Sequence, residues 1–197
     1  MMERLWHMRR LALFTLAIAA FAALGSGCLF DTRPANAPVV DGGGVVFDDP
    51  EDVFQGMRSG LESNRFSEYE RALGDDFIFS PLLSDSLDQT FTPTTFSGWT
   101  RQVERDVMLL VVSEADSIQV EFTPKRLIDT NSYVQYRTEY RLRVVPRNGD
   151  AAVYAGVALL DVRRIRGQWQ VTYWDEIGRV DPYQTWGFLR GITRGLL

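Results

Sequence analysis

The feature that most constrains the fold of this 197-residue chain is an unbroken alternation from Val134 to Val144. Val134, Tyr136, Thr138, Tyr140, Leu142 and Val144 fall on one side, and Gln135, Arg137, Glu139, Arg141 and Arg143 on the other. A period of two belongs to a strand with one packed face and one wet face, the pattern of an antiparallel sheet covered on one side only. The surrounding segments agree with it. Ile118, Val120 and Phe122 alternate with Gln119 and Glu121, and Asn148-Gly149 is a strong hairpin turn. Val153 to Ile165 reads as a returning strand, Gly167 as a turn, and Gln168 to Glu176 as the last strand.

Helices precede the sheet. Asp49 is a good N-cap, Pro50 suits the first helical position, and Glu51 and Asp52 complement the positive end of a helix. Val53, Phe54, Met57 and Leu61 then share one face. Asn64-Arg65 breaks that helix. Phe66, Tyr69, Glu70 and Leu73 predict a second, short one, closed by Gly74 at its C-cap. Phe77-Ile78-Phe79 is a short strand stopped by Pro81, and residues 82–95 are polar and turn-rich. Trp99, Val103, Val107 and Leu110 predict a third helix, and residues 185–195 a short final one.

The N-terminal segment has a different chemistry. Arg4, Arg9 and Arg10 stand against one acid, Glu3; Leu11 to Leu24 is uncharged; Gly25-Ser26-Gly27 leads into Cys28, the sole cysteine. A basic start, an apolar middle and a small-residue exit make a secretory signal. Leu24-Gly25-Ser26-Gly27-Cys28 resembles the lipobox of bacterial lipoproteins, although Gly25 holds the place usually taken by an aliphatic residue. The resemblance implies a lipidated Cys28 as the first mature residue, palmitate among its acyl chains, and attachment to a membrane of the cell envelope. Leu29 follows where an inner-membrane retention signal would carry Asp, so the periplasmic face of the outer membrane is the expectation for a Gram-negative host. An uncleaved helix across Leu11–Phe30 and ordinary secretion remain as alternatives. The division expected is a signal at 1–27, a Pro- and Gly-rich tether at 28–48 and a folded domain at 49–197.

Composition narrows the chemistry. The leader holds three of the 21 basic residues and one of the 26 acids, leaving 18 against 25, a net charge of −7. That balance repels nucleic acid. His7 is the only histidine and lies in the leader. Ser-His-Asp and Cys-His catalysis, zinc sites of His and Cys, and intrachain disulfides are therefore excluded from the mature domain. No cofactor motif is present.

Helix, short helix, short strand, helix and then long antiparallel strands is the order of the nuclear transport factor 2-like superfamily, which includes SnoaL-like proteins. The resemblance spans about residues 49–177, carried by Gly74-Asp75-Asp76-Phe77-Ile78-Phe79 and Gly167-Gln168-Trp169-Gln170-Val171. It implies an α+β, cystatin-like domain: a curved antiparallel sheet wrapped around N-terminal helices to leave a conical pocket. It also implies homodimers through the open sheet face. Enzymes of the superfamily often carry a carboxylate or histidine just after the first short strand, where this chain has Ser80-Pro81.

The site candidates follow from that frame. Alternation puts Trp169, Val171, Tyr173 and Asp175 on one face of the last strand, so Asp175 is the candidate acid or base, and Tyr136, Tyr140, Trp169 and Tyr173 are candidate ligand contacts. Each also reads as core or strand end. Asp161 is expected to pair with Arg137 or Arg141, Asp75-Asp76 to solvate a loop, and the Arg137-Arg141-Arg143 row to form a salt-bridged face. The expectation is a lipid-anchored domain that binds a small apolar molecule or an envelope protein without catalysis. Its rival is a carboxylate-based isomerase, cyclase or hydratase.

Overall fold

The computed structural model describes residues 46–197. The lipobox, Cys28 and most of the expected tether lie outside the described residues. The elements are α1 (Asp52–Glu62), α2 (Phe66–Arg71), β1 (Leu73–Ser80), α3 (Leu83–Ser86), α4 (Arg101–Glu114), β2 (Ala115–Asp129), β3 (Tyr133–Pro146), β4 (Ala152–Ile165), β5 (Gln168–Arg179) and α5 (Trp186–Arg194). The strands form one sheet in the order β1-β5-β4-β3-β2. β1 runs parallel to β5 and every other pairing is antiparallel.

The alternation of β3 holds: Val134, Tyr136, Thr138, Tyr140, Leu142 and Val144 are all buried. α1 lays Val53, Phe54, Met57 and Leu61 into the same core. The helix starts later than expected, at Asp52 with Glu51 at the N-cap; Asp49 sits in the turn ahead of it, where its carboxylate accepts from the Glu51 amide at 2.9 Å and its own amide donates to Asp52 at 2.9 Å. Asn64 turns the chain with φ 55°. The β4–β5 hairpin closes on Arg166 and Gly167, both at positive φ (50° and 86°), the two-residue turn that matches strand twist.

Several expectations are corrected. α2 ends at Arg71 and β1 begins at Leu73, so Gly74 is a strand residue rather than a C-cap. Asp75 and Asp76 therefore sit on β1, and Asp75 pairs with Arg101 at 2.7 Å. β2 is much longer than its alternating segment, because β3 pairs with it along its length, from Ala115↔Pro146 to Asp129↔Val134. Pro124 is tolerated within it because β2 is an edge strand. The turn-rich stretch contains α3. Trp99 precedes α4 rather than opening it, although it is buried at the intended place.

Candidate functional site

The last strand changes phase midway. β4 and β5 pair through Asp161↔Tyr173 and then Val162↔Val171, so one residue of β4 is passed over by two of β5 and Thr172 is the extra residue of a β-bulge. Before the bulge Trp169 and Val171 face the core; after it Trp174 and Glu176 do. Tyr173 and Asp175 consequently lie half-buried on the opposite face, Asp175 in register with Ser80 and Leu159. The expectation that Asp175 and Tyr173 face the pocket with Trp169 is thus corrected by one residue of strand phase.

Glu176 takes the place expected of Asp175. It is 3 % exposed. Tyr140 of β3 donates to its Oε1 at 2.7 Å, and the Gly187 amide donates to Oε1 at 2.9 Å and Oε2 at 3.1 Å. The Tyr140 hydroxyl in turn accepts from the Trp186 amide at 3.0 Å. Two glycines make room for these contacts. A Cβ at Gly156 would overlap the Tyr140 hydroxyl, and one at Gly187 would overlap Glu176 Oε2.

A second carboxylate, Glu104 of α4, is buried completely. It accepts from the Tyr69 hydroxyl, from Trp99 Nε1 at 2.8 Å and from Arg190 at 2.7–3.1 Å in a bidentate grip. Arg190, also fully buried, comes from α5. Its guanidinium carbon lies 4.3 Å from the ring centre of Phe79, 4.4 Å from Trp174 and 4.9 Å from Trp186. Its Nη1 stands 3.9 Å from Glu176 Oε1 and has no hydrogen-bond acceptor. Thr185 holds the start of α5: its hydroxyl accepts from the Phe188 amide at 3.0 Å and donates to the buried Asp85 of α3.

These contacts set the charge states. Burial pushes Glu176 up to about 7, against the opposing pull of Arg190 and Tyr140. Burial, reinforced by the neighbouring carboxylates, holds the Tyr69 and Tyr140 hydroxyls well above the ordinary phenol value. Burial works against the charge on Arg190, but Glu104, Tyr69 and Glu176 outweigh it and keep the guanidinium ionised. One cation against two carboxylates leaves the cluster neutral when Glu176 carries a proton.

The remaining candidates disperse. Tyr136 packs edge-to-face on Phe54 with ring centres 5.0 Å apart; its buried hydroxyl has no hydrogen-bond partner, and burial pushes its pKa up to about 12. Trp169 is buried, and its amide donates to the Phe47 carbonyl. Of the expected contacts, only Tyr140 reaches the charged cluster. Asp161 accepts from Tyr133 at 2.9 Å and Gln135 at 3.0 Å, not from Arg137 or Arg141. Arg137 instead pairs with Glu139 at 3.6 Å, and Arg141 donates to Tyr183 at 3.3 Å. Among the described residues no group of His, Cys, Asp or Glu is placed to hold a metal ion, and no helix is long and apolar enough to cross a membrane.

Sequence reasoning passed over Glu104, Glu176 and Arg190. A signal existed for two of them. Arg190 lies four residues after Trp186 on the final helix, and Glu104 lies three before Val107, so both share faces with core residues. Two grooves flank the cluster without reaching it. One of about 240 Å³ lies among α4, α5 and the β3–β4 end, walled by Leu110, Val144, Tyr154 and Leu189. Another of about 620 Å³ runs between α1 and β2, walled by Arg58, Glu62 and Phe122.

Solved structures share this architecture. A conserved protein from Planctomyces limnophilus is 16 % identical, with 65 % of this chain and 93 % of that one aligned at a TM-score of 0.52. A protein assigned as a scytalone dehydratase from Novosphingobium aromaticivorans is 12 % identical, over 70 % of this chain and 90 % of that one, at 0.53. A protein of unknown function from Mycobacterium tuberculosis is 10 % identical, over 74 % and 83 %, at 0.51. No family model matches the sequence, and neither does any curated protein. Identities this low carry the fold, which is nuclear transport factor 2-like, and not an activity.

Proposed function

We propose that this chain is a lipid-anchored cell-envelope protein whose nuclear transport factor 2-like domain binds and does not catalyse. The observation that carries the non-catalytic half is the fully buried Arg190 side chain. It and Trp186 fill the interior that the fold otherwise leaves as a cone, and both Glu104 oxygens are committed to internal donors. Among the described residues both carboxylates are buried, Glu104 completely and Glu176 to 3 % exposure. The apolar groove beside α5 offers a place for a small apolar molecule. The outer sheet face, with Ile78, Leu159, Tyr173 and Ile177 partly exposed, suits a second copy or an envelope protein. The anchoring half rests on the basic-apolar-small leader and on Cys28. By the same reading the protein faces the periplasm from the outer membrane in a Gram-negative host.

The test is metabolic labelling with palmitate in the native host. Label on the wild-type chain and none on Cys28→Ala is the expected result. Label that persists in the variant, or an intact Met1 on cytosolic protein, overturns the anchor.

A second reading is favoured by one observation. Glu176, held near a pKa of 7 with a tyrosine hydroxyl at 2.7 Å, has the make-up of a general acid or base once α5 moves aside. Carboxylate chemistry would then run through Glu176, in place of Asp175. Turnover of an enolisable ketone that vanishes in Glu176→Gln would support this reading over the first.

A further inference from the structure

We propose that the interior of this domain is a built site for an organic cation of the guanidinium class, filled in the resting molecule by the chain's own Arg190. The proposal rests on the reading of the domain as a binder and names the chemistry its interior accepts once Arg190 is withdrawn.

The site exists apart from the residue that fills it. Glu104 comes from α4, Glu176 and Trp174 from β5, and Phe79 from β1; only Trp186 shares α5 with Arg190. Glu104 is oriented by Tyr69 and Trp99, two donors that belong neither to α5 nor to each other's element. An acceptor locked by its own neighbours is preorganised for a planar donor pair and need not be ordered when one arrives. Phe79 and Trp174 present ring faces at 4.3 and 4.4 Å, within the range at which a cation is attracted to an aromatic quadrupole. A bidentate carboxylate and flat π-faces together select guanidinium over ammonium, because only the former is planar and forked.

Arg190 fills this site incompletely. Its Nη1 is buried without an acceptor, and Glu176 is 3.9 Å away, too far for a hydrogen bond. The side chain reaches in from a helix whose start is held by Thr185 and Asp85, and its Nε and Nη2 are already committed to Glu104. A stability device alone gains nothing from an unpaired buried donor, and a hydrophobic plug of the same size serves at least as well. A free guanidinium is not bound to a helix and can engage both carboxylates. α5 contributes no strand to the sheet, so the ladder stays whole without it.

The experiment uses the full chain, as wild type, as Arg190→Ala and as Glu104→Gln/Arg190→Ala. Thermal melts are recorded with n-propylguanidinium, with its neutral isostere n-propylurea and with n-butylammonium. The double variant leaves no unpaired Glu104 charge and so guards against a single variant that fails to fold. The expected result is a rise of roughly 3–6 °C for Arg190→Ala at about ten times the dissociation constant of n-propylguanidinium. n-Butylammonium should give a smaller rise and n-propylurea under about 1 °C. The double variant should gain less than the single one, and the wild type under about 1 °C because its site is occupied. If Arg190→Ala folds only when n-propylguanidinium is present, that too supports the site. Equal gains from n-propylurea, a wild-type gain matching that of Arg190→Ala, or no cation-selective gain in either variant overturns it. None of these outcomes depends on Cys28 labelling or on turnover, so failure here and failure of the anchored or catalytic readings remain separate results.

Discussion

Tyr140 donates its hydroxyl hydrogen to Glu176 across 2.7 Å while accepting the Trp186 amide at 3.0 Å, and so ties the sheet to the start of the final helix. One phenol thus couples β3, β5 and α5. The consequences are measurable.

Stability should fall as pH rises through neutrality. Burial lifts the folded Glu176 to about 7 from an ordinary 4.5. The folded state therefore holds a proton that the unfolded chain releases, and the associated stability is fully present below pH 4.5 and lost as pH rises through 7. At about 1.4 kcal/mol per unit the window spans on the order of 3–4 kcal/mol. Urea titrations between pH 4.5 and 8.5 should show this slope, and Glu176→Gln should flatten it. Equal slopes in the two proteins would refute the assignment.

The Glu104–Arg190 pair should be strongly coupled. Replacing either partner alone with a neutral residue leaves the other charge buried and unpaired, a loss of about 3–5 kcal/mol. Glu104→Gln combined with Arg190→Met should recover a large share of it. A double-mutant cycle by chemical denaturation should return a coupling energy of at least about 2 kcal/mol. A coupling near zero would mean that the buried grip contributes nothing.

Gly156 should tolerate no side chain. A methyl there meets the Tyr140 hydroxyl and the Gly178 carbonyl. Gly156→Ala should cost about 1–3 kcal/mol. Measured against Tyr140→Phe alone, which itself gives up the bonds to Glu176 and the Trp186 amide, the cost of Gly156→Ala should shrink but persist, since the hydroxyl contact is gone while those with the ring carbon Cζ and the Gly178 carbonyl stay. No cost at all in the Tyr140→Phe background would place the whole conflict at the hydroxyl.

Thr185→Ala should loosen α5 first. It removes the cap on Phe188 and leaves the buried Asp85 short of a donor. A loss of about 1–2 kcal/mol should be accompanied by faster amide exchange across Trp186–Arg194 than in β3. Uniform acceleration across both would argue that α5 opens only with the whole fold.

The candidate site was legible only in fragments. Tyr140 stood out because β3 alternates without interruption, and its partner strand keeps that register throughout. Asp175 was the residue singled out on β5, and its neighbour Glu176 is the buried carboxylate. Thr172 separates the two outcomes: a one-residue bulge reverses every side chain after it, and a threonine flanked by valine and tyrosine looks like any other strand residue.

What the sequence determined by itself is what acts over a few residues. The two-residue alternation made the strands, Val53 to Leu61 made a helix face, Arg166-Gly167 made a turn, and the lack of histidine and cysteine after Cys28 removed whole classes of chemistry. Tertiary structure alone decided the phase of β5 and the filling of the interior. Arg190 and Glu104 lie 86 residues apart, and no local period brings them together. They meet because the sheet and α4 leave a space that α5 fills, and a charge buried there is tolerated only beside its counter-charge.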